Sequence, residues 1–116
     1  GIRARPGLEW LAMAYDARGT DLFEAIHNQP GYYGIKAPAT LQHRYIFEEV
    51  PMSLVPIAAL GQRYGVSVRA IDAIIRLACI VHNTDYWRKG RTLDRLGIAD
   101  LSVEELTKYV ETGERD

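Results

Sequence analysis

Apolar residues in the second half of the chain recur at the spacing of an α-helix. In residues 67–83 they fall at intervals of three and four positions, and further apolar residues cover most of the remaining surface. A helix that is apolar nearly all round is buried on every side. We therefore predict a central helix with two sets of apolar positions: Val68, Ile71, Ile74, Ile75, Ala78 and Val81 on the main face, and Ala70, Leu77 and Ile80 around it.

Capping residues mark two helices near the N-terminus. Residues 6–19 have a helical apolar pattern, and Gly19 is the residue at which we expect this helix to stop. Residues 20–28 predict a shorter helix, which begins at Thr20 or Asp21 because both side chains can accept a hydrogen bond from the first helical turn.

The C-terminal region has a similar signature. Ser102 precedes Glu105 by three residues, which is the spacing of a capping box, and Gly113 provides a stop. No segment shows the apolar-polar alternation of a strand. The sequence therefore predicts an all-α fold, a compact multi-helix domain that spans residues 1–116.

Between the first helices and the central region lies a long loop. Residues 29–42 contain two prolines and two glycines, together with the adjacent Tyr32 and Tyr33. Long loops often carry binding groups, so these tyrosines are candidates for a binding surface.

Pro51 and Pro56 interrupt the next helical segment. Pro51 biases Val50 away from helical geometry, so residues 43–49 are predicted to form a separate turn or short helix, with a new helix beginning at Pro51. Pro56 cannot donate a hydrogen bond, and it should bend that helix or leave the carbonyl of Met52 without a partner. The charged residues ahead of Pro51 therefore stand at a junction.

Those charged residues are Arg44, Glu48 and Glu49. If the segment is helical, Arg44 and Glu48 share a face at i,i+4 spacing, whereas Glu49 projects elsewhere. Spacing alone favours a solvated ion pair, which contributes about 0.3–0.5 kcal/mol. The alternative is a site that binds a carboxylate and moves a proton.

Composition and charge exclude several classes of function. Fourteen basic and fifteen acidic residues leave a net charge of −1, so no overall field attracts nucleic acid or an anionic membrane. The single cysteine, Cys79, excludes an internal disulfide and fits a reducing compartment. No apolar run is long enough to span a bilayer, and the N-terminus lacks the apolar core of a signal peptide. We predict a soluble, cytoplasmic protein.

The remaining candidate residues favour packing roles when judged by pattern alone. His43 and His82 have no ligand-spaced cysteine, histidine or carboxylate beside them, so no metal site is predicted. Tyr86 and Trp87 are more often core aromatics than a substrate cage. No glycine-rich nucleotide motif occurs, so we assign no cofactor-binding residue in this chain.

Residues 61–71, GQRYGVSVRAI, fit the spacing of a helix-turn-helix motif. The second helix would offer Arg69 and Arg76 as its cations, includes Asp72, and is too apolar to lie in a groove of DNA. We therefore expect no nucleic-acid partner. The turn at Gly65 is better explained as a tight corner between two buried helices.

Three ordered blocks resemble a known family. LQHRYIFEEVPMSLVPIAALGQRYGV, AIDAIIRLACIV and DYWRKGRTLDRLGI resemble, in that order, the C-terminal helical domain of the octopine/nopaline (opine) dehydrogenases. The resemblance covers roughly residues 40–98, with weaker similarity in DLFEAIHNQPGYYGIKAPATL. It implies an enzyme that joins an amino acid to a 2-oxo acid and reduces the imine with NAD or NADP, which is bound mainly by a separate N-terminal Rossmann domain absent from this chain. Since the chain opens without methionine and passes directly into a helical pattern, we expect it to be part of a longer polypeptide.

The resemblance also implies roles for the residues at the junction. An arginine, a short apolar stretch and an acidic pair before Val-Pro correspond here to Arg44, residues 45–47 and Glu48-Glu49. Arg44 is implied to hold a substrate carboxylate. The second acid, usually aspartate and here Glu49, is implied to orient a catalytic histidine and assist proton transfer.

That histidine is implied to lie before the start of this chain, so neither His43 nor His82 takes the role. Tyr86 and Trp87, with the two loop tyrosines, are candidates for walls that select the amino-acid side chain. A homodimer is compatible with the family. Two other functions stay open, namely a helical binding or assembly module without the chemistry, and a helix-turn-helix regulator.

Overall fold

The computed structural model describes residues 4–115, and every regular element in that part of the chain is helical. This confirms the all-α prediction. None of these helices is long and apolar enough to cross a membrane. The α-helices are α1 Gly7–Tyr15, α2 Leu22–Asn28, α3 Arg44–Glu49, α4 Val55–Arg63, α5 Arg69–Val81, α6 Tyr86–Lys89 and α7 Val103–Thr112; Pro30–Tyr32 is a 3₁₀ turn and Val50–Leu54 is a π-helical turn.

The chain divides between Ala37 and Pro38 into two compact units. Each unit has its own cluster of buried apolar residues. The first cluster contains Leu11, Ala17 and Ala25, and the second contains Val50, Val55, Ala58, Ile75, Ala78 and Tyr86. That the two units act as a single domain stays a prediction.

In the first unit, helix α1 ends earlier than predicted. It stops at Tyr15, because Asp16 adopts a left-handed conformation with φ 51° that a short polar side chain tolerates. Gly19 is therefore not the helix stop. A Cβ atom at Gly19 would overlap the backbone of Ala25 in α2, so this glycine permits close packing. The predicted cap of α2 is confirmed at Asp21, whose carboxylate accepts from the Glu24 N–H at 2.8 Å.

In the second unit, α3 continues directly into α4 through the π-helical turn. Val50 has φ −64° and ψ −56°, so the predicted break before Pro51 is wrong. The reason is the wider turn: the Val55 N–H donates to the Val50 carbonyl five residues earlier, and the missing N–H of Pro51 is accommodated inside a continuous helix.

The second proline, Pro56, leaves the Pro51 carbonyl without a helical donor. In a π-helical turn the Pro51 carbonyl would accept from residue 56, which is a proline and has no N–H. The Arg91 N–H donates to this carbonyl instead, at 2.9 Å. The Pro51 carbonyl is therefore an acceptor without a helical donor, and its hydrogen bond joins the turn to the segment that follows α6.

Close approach at this contact depends on Gly90. A Cβ atom there would lie 2.7 Å from the Pro51 carbonyl oxygen and 2.8 Å from Val55 Cγ1. Gly90→Ala is expected to lower the free energy of unfolding by about 1–3 kcal/mol, because backbone must shift to relieve the overlap. Urea denaturation followed by circular dichroism measures the change.

The matched control for this substitution is Gly31→Ala, where the nearest atom to an added Cβ would be Gln29 Oε1 at 3.8 Å. Neither glycine has a positive φ, so conformational strain does not separate the two variants. Equal stability of the two alanine variants would contradict the packing argument.

Helix α5 is only half buried. Ile75 and Ala78 lie in the core, whereas Ile74, Leu77 and Ile80 are 53%, 61% and 76% exposed. The prediction of a helix buried on every side is therefore wrong within the described chain. One face packs on α4 and α6, and the other remains an exposed apolar surface.

The tight corner between α4 and α5 is confirmed. Gly65 has φ +72°, which favours glycine, and the Val66 N–H donates to the Gly61 carbonyl at 2.8 Å. An added Cβ at Gly61 would overlap the side chain of Val68. The glycines of this motif thus allow a close turn between packed helices.

The capping box that begins α7 is also confirmed. The Glu105 N–H donates to Ser102 Oγ, and the Ser102 N–H donates to the Glu105 carboxylate at 2.7 Å. Gly113 follows the helix with φ 75°.

Candidate active site

Helix α3 presents Arg44 at its first position. His43 caps the helix, with its Nδ1 accepting from the Tyr45 N–H at 3.3 Å. Arg44 Nη1 lies 3.2 Å from Glu48 Oε2, and the two side chains are 67% and 57% exposed. This is the i,i+4 pair that the spacing predicts. Because both partners are well solvated, the pair adds little stability, and another carboxylate can replace Glu48 beside the guanidinium at small cost.

The ring of Tyr45 restricts the arginine from a second side. The Arg44 guanidinium carbon lies 5.2 Å from the centre of that ring, within the range of a cation–π contact. A planar cation held against a ring and one carboxylate has a preferred orientation. It can still form two parallel hydrogen bonds to a bound carboxylate.

Glu49 points to a different partner from Glu48. Ser53 Oγ donates to Glu49 Oε2 at 2.9 Å, across the start of the π-helical turn. The prediction that the adjacent glutamates have separate surroundings is therefore confirmed. Sequence reasoning missed Ser53, although its i,i+4 spacing from Glu49 was a usable signal.

Tyr86 lies in the core of the second unit and is 4% exposed. Its hydroxyl is 2.6 Å from His82 Nδ1. Burial, and to a lesser extent the Cys79 thiol, raises the pKa of Tyr86, so the neutral hydroxyl is retained near neutral pH. A substrate-binding role for Tyr86 stays a prediction, and its described packing is that of a core aromatic.

Trp87 has a more accessible position. It packs partly against the core and lines an open groove of about 600 Å³ with Cys79, Ile80 and Thr84. Trp87 can therefore contact a molecule in this groove, whereas the neighbouring Tyr86 ring faces inward.

The two loop tyrosines belong to the first unit. Tyr33 is 66% exposed, whereas Tyr32 is partly buried beside the first core cluster. Both line a cavity of about 410 Å³ with Ile26, His27 and Ile35. Their selection of an amino-acid side chain stays a prediction.

His82 has more contacts than the sequence suggested. Besides Tyr86, its Nε2 lies 2.9 Å from the Leu41 carbonyl, and its ring centre is 4.7 Å from that of Phe47. Sequence reasoning gave it a general packing role, because a lone histidine carries no signal for partners that are distant in sequence. Among residues 4–115 no group of three or more histidine, cysteine or acidic side chains is arranged to hold a metal ion.

The described residues do not themselves fit a dinucleotide. A Rossmann cradle needs a strand followed by a glycine-rich turn and a helix, and residues 4–115 contain no strand. That no residue of this chain binds the cofactor stays a prediction.

Comparison with known proteins decides the family. The model of the NAD/NADP octopine/nopaline dehydrogenase α-helical domain matches residues 1–82. The chain belongs to the octopine/nopaline dehydrogenase family. The match includes α3 with Arg44 and Glu49. It starts earlier than residues 40–98, on which the resemblance was based, and it ends before the block DYWRKGRTLDRLGI.

Individual relatives of this octopine/nopaline dehydrogenase-family chain agree with the family match. It is 36% identical over 103 residues to an opine dehydrogenase of Arthrobacter sp. (strain 1C), which covers 89% of this chain and 29% of that protein. It is 28% identical over 98 residues to vitopine synthase of Allorhizobium ampelinum, which covers 84% of this chain and 27% of that protein. A match to protein ocs of Agrobacterium vitis has 24% identity over 108 residues, which covers 93% of this chain and 30% of that protein. The chain thus spans about three-tenths of the length of these relatives.

Proposed function

We propose that this chain is the substrate-binding and catalytic helical domain of an NAD(P)-dependent opine dehydrogenase-like oxidoreductase. The reaction would be the reductive condensation of an amino acid with a 2-oxo acid. The observation that supports this most directly is the arrangement on α3. An exposed arginine and a serine-bound glutamate lie five residues apart on one short helix, inside the region that matches the family model.

Arg44 is proposed to hold a substrate carboxylate. Both substrates of such a reaction carry one, and a guanidinium binds both oxygens of a carboxylate through parallel hydrogen bonds. Since Glu48 already accepts from Nη1 at 3.2 Å, an incoming carboxylate would exchange for it or share the cation. Binding in this way would fix the orientation of the carbon that becomes the imine.

Glu49 is proposed to act with a histidine supplied from outside residues 1–116. Condensation of an amine with a 2-oxo acid releases water, so it needs a group that both gives and takes a proton near neutral pH. A carboxylate can hold an imidazole in one orientation and stabilise its charged form. Ser53 keeps one oxygen of Glu49 occupied and leaves the other for this partner.

The nicotinamide cofactor is proposed to bind mainly to a separate domain. This agrees with the matched family, whose description includes NAD or NADP, and with relatives that are about three times as long as the chain. Purified residues 1–116 are expected to be mostly helical by circular dichroism and to bind NADH no more tightly than millimolar in titration calorimetry, since their described part has no dinucleotide cradle. A micromolar Kd for NADH would contradict this division.

One observation favours a second candidate, a helical assembly module without the chemistry. The exposed face of α5, with Ile74, Leu77 and Ile80, is apolar enough to cover another protein surface. A DNA-binding regulator is less well supported, because Arg76 on the same helix is paired with Asp72 at 2.7 Å.

The test of the proposed enzyme uses the natural polypeptide that contains this chain. Oxidation of NADH or NADPH is followed by the loss of reduced-nicotinamide absorbance, with panels of amino acids and 2-oxo acids. We expect oxidation only when both substrates are present, with a secondary amine as the product by mass spectrometry. Absence of this activity for all pairs would favour the assembly module.

A further inference from the structure

We infer that His82 is a positioning residue, which fixes the orientation of α3 and thereby the placement of Arg44 and Glu49. This inference rests on the proposed function for its catalytic consequence. Its structural part, that His82 holds α3 in place, can be measured independently of any activity.

Both ring nitrogens of His82 have partners, and these partners determine which nitrogen of the neutral ring carries the hydrogen. The Leu41 carbonyl, 2.9 Å from Nε2, can only accept, so Nε2 carries the hydrogen. Nδ1 of the neutral ring then accepts from the Tyr86 hydroxyl at 2.6 Å. A histidine with both nitrogens engaged cannot rotate about its side-chain bonds without losing a hydrogen bond.

The two partners differ in what they connect. Tyr86 is 4% exposed and belongs to the core, so it provides a fixed point. Leu41 lies three residues before the start of α3, in the segment that leads to Arg44. His82 therefore links the core directly to the chain that enters the helix of the candidate site.

A third contact reaches α3 itself. The Phe47 ring, whose centre is 4.7 Å from that of His82, lies between Arg44 and Glu49 in sequence. The Phe47 side chain is 44% exposed, and the His82 ring covers part of the remaining surface. Together, the contacts at residues 41 and 47 constrain both the segment that leads into α3 and one side of the helix.

The expected consequence for catalysis is a change in the positions of the site side chains. Displacement of a substrate-binding group by about 1 Å can cost about 100-fold in rate, even when the group itself is intact. Loss of the His82 contacts is expected to move Arg44 and Glu49 in this way. The effect should fall on the 2-oxo acid more than on a cofactor bound by another domain.

The central test replaces His82 in the full-length protein and compares two variants. His82→Leu removes both hydrogen bonds, whereas His82→Gln keeps a donor that can reach the Leu41 carbonyl. Thr107→Val is the control, because it removes a side-chain hydrogen bond to the Val103 carbonyl on α7.

Hydrogen exchange by mass spectrometry provides the structural readout. In His82→Leu, peptides that cover residues 38–49 should exchange at least about tenfold faster, while peptides of α7 keep their rates. His82→Gln should restore part of the protection, and Thr107→Val should leave residues 38–49 unchanged. Unchanged exchange in residues 38–49 of His82→Leu, or an equal increase throughout the molecule, would overturn the inference.

Steady-state kinetics provide the catalytic readout. We expect kcat/KM for the 2-oxo acid to fall by about 10- to 100-fold in His82→Leu, with partial recovery in His82→Gln and an unchanged KM for the cofactor. Altered exchange with normal kinetics would overturn the positioning role. If the unmodified protein lacks activity, the proposed function fails, and exchange alone decides whether His82 holds α3.

Discussion

Arg44→Lys should lower kcat/KM for the 2-oxo acid by about 30- to 1,000-fold, which corresponds to roughly 2–4 kcal/mol of activation free energy. Lysine keeps the charge but loses the planar pair of donors that binds both oxygens of a carboxylate. Thermal stability should hardly change, because the Arg44–Glu48 pair is more than half exposed on both sides. The assay is reductive condensation in the natural polypeptide at several 2-oxo acid concentrations, with a thermal melt on the same preparations.

The alternative interpretation of Arg44 predicts a different result. If the residue is only a solvated partner of Glu48, lysine substitutes well and both kinetics and stability stay within about 0.5 kcal/mol of the unmodified protein. Unchanged kinetics would remove Arg44 from the site. The family relationship would then describe the fold and not the role of this residue.

Glu49→Gln should lower kcat by about 100- to 10,000-fold while changing the KM values much less. The amide has the size of the carboxylate and can still accept from Ser53, but it has no negative charge to stabilise an imidazolium. Initial rates over a full range of both substrates separate the two parameters.

Glu48→Gln is the matched control for this substitution. It changes the neighbouring residue on the same helix, and there we expect kcat to change by less than about threefold, since Glu48 is an exposed partner of Arg44. Equal, small effects at both glutamates would show that the acidic pair is a solvated helix face.

Local rules predicted the parts of the fold that depend on neighbouring residues. The Arg44–Glu48 contact, the Asp21 cap and the box at Ser102 all involve residues three or four positions apart, and the structure contains each of them. Such contacts follow from helical geometry alone. The same holds for the different directions of the two adjacent glutamates.

The feature that was predicted wrongly and the one that was missed both concern effects of the wider structure. Val50 was expected to leave the helix because it precedes a proline, but a π-helical turn satisfied the backbone in another way. His82 could not be connected to Leu41 by any pattern, since these residues are about 40 positions apart and meet only after folding. Both features lie next to the helix that carries Arg44 and Glu49, so the geometry of the candidate site was less predictable than its residues.

The hydrogen bond from Arg91 to Pro51 sets an order of events during biosynthesis. The carbonyl of Pro51 has no helical donor, and its partner is synthesised about 40 residues later. Until that segment leaves the ribosome, the π-helical turn must satisfy this carbonyl with water, and the helix that carries Arg44 and Glu49 lacks one of its native restraints. The candidate site therefore lacks this restraint until residues 90 and 91 pack against the π-helical turn.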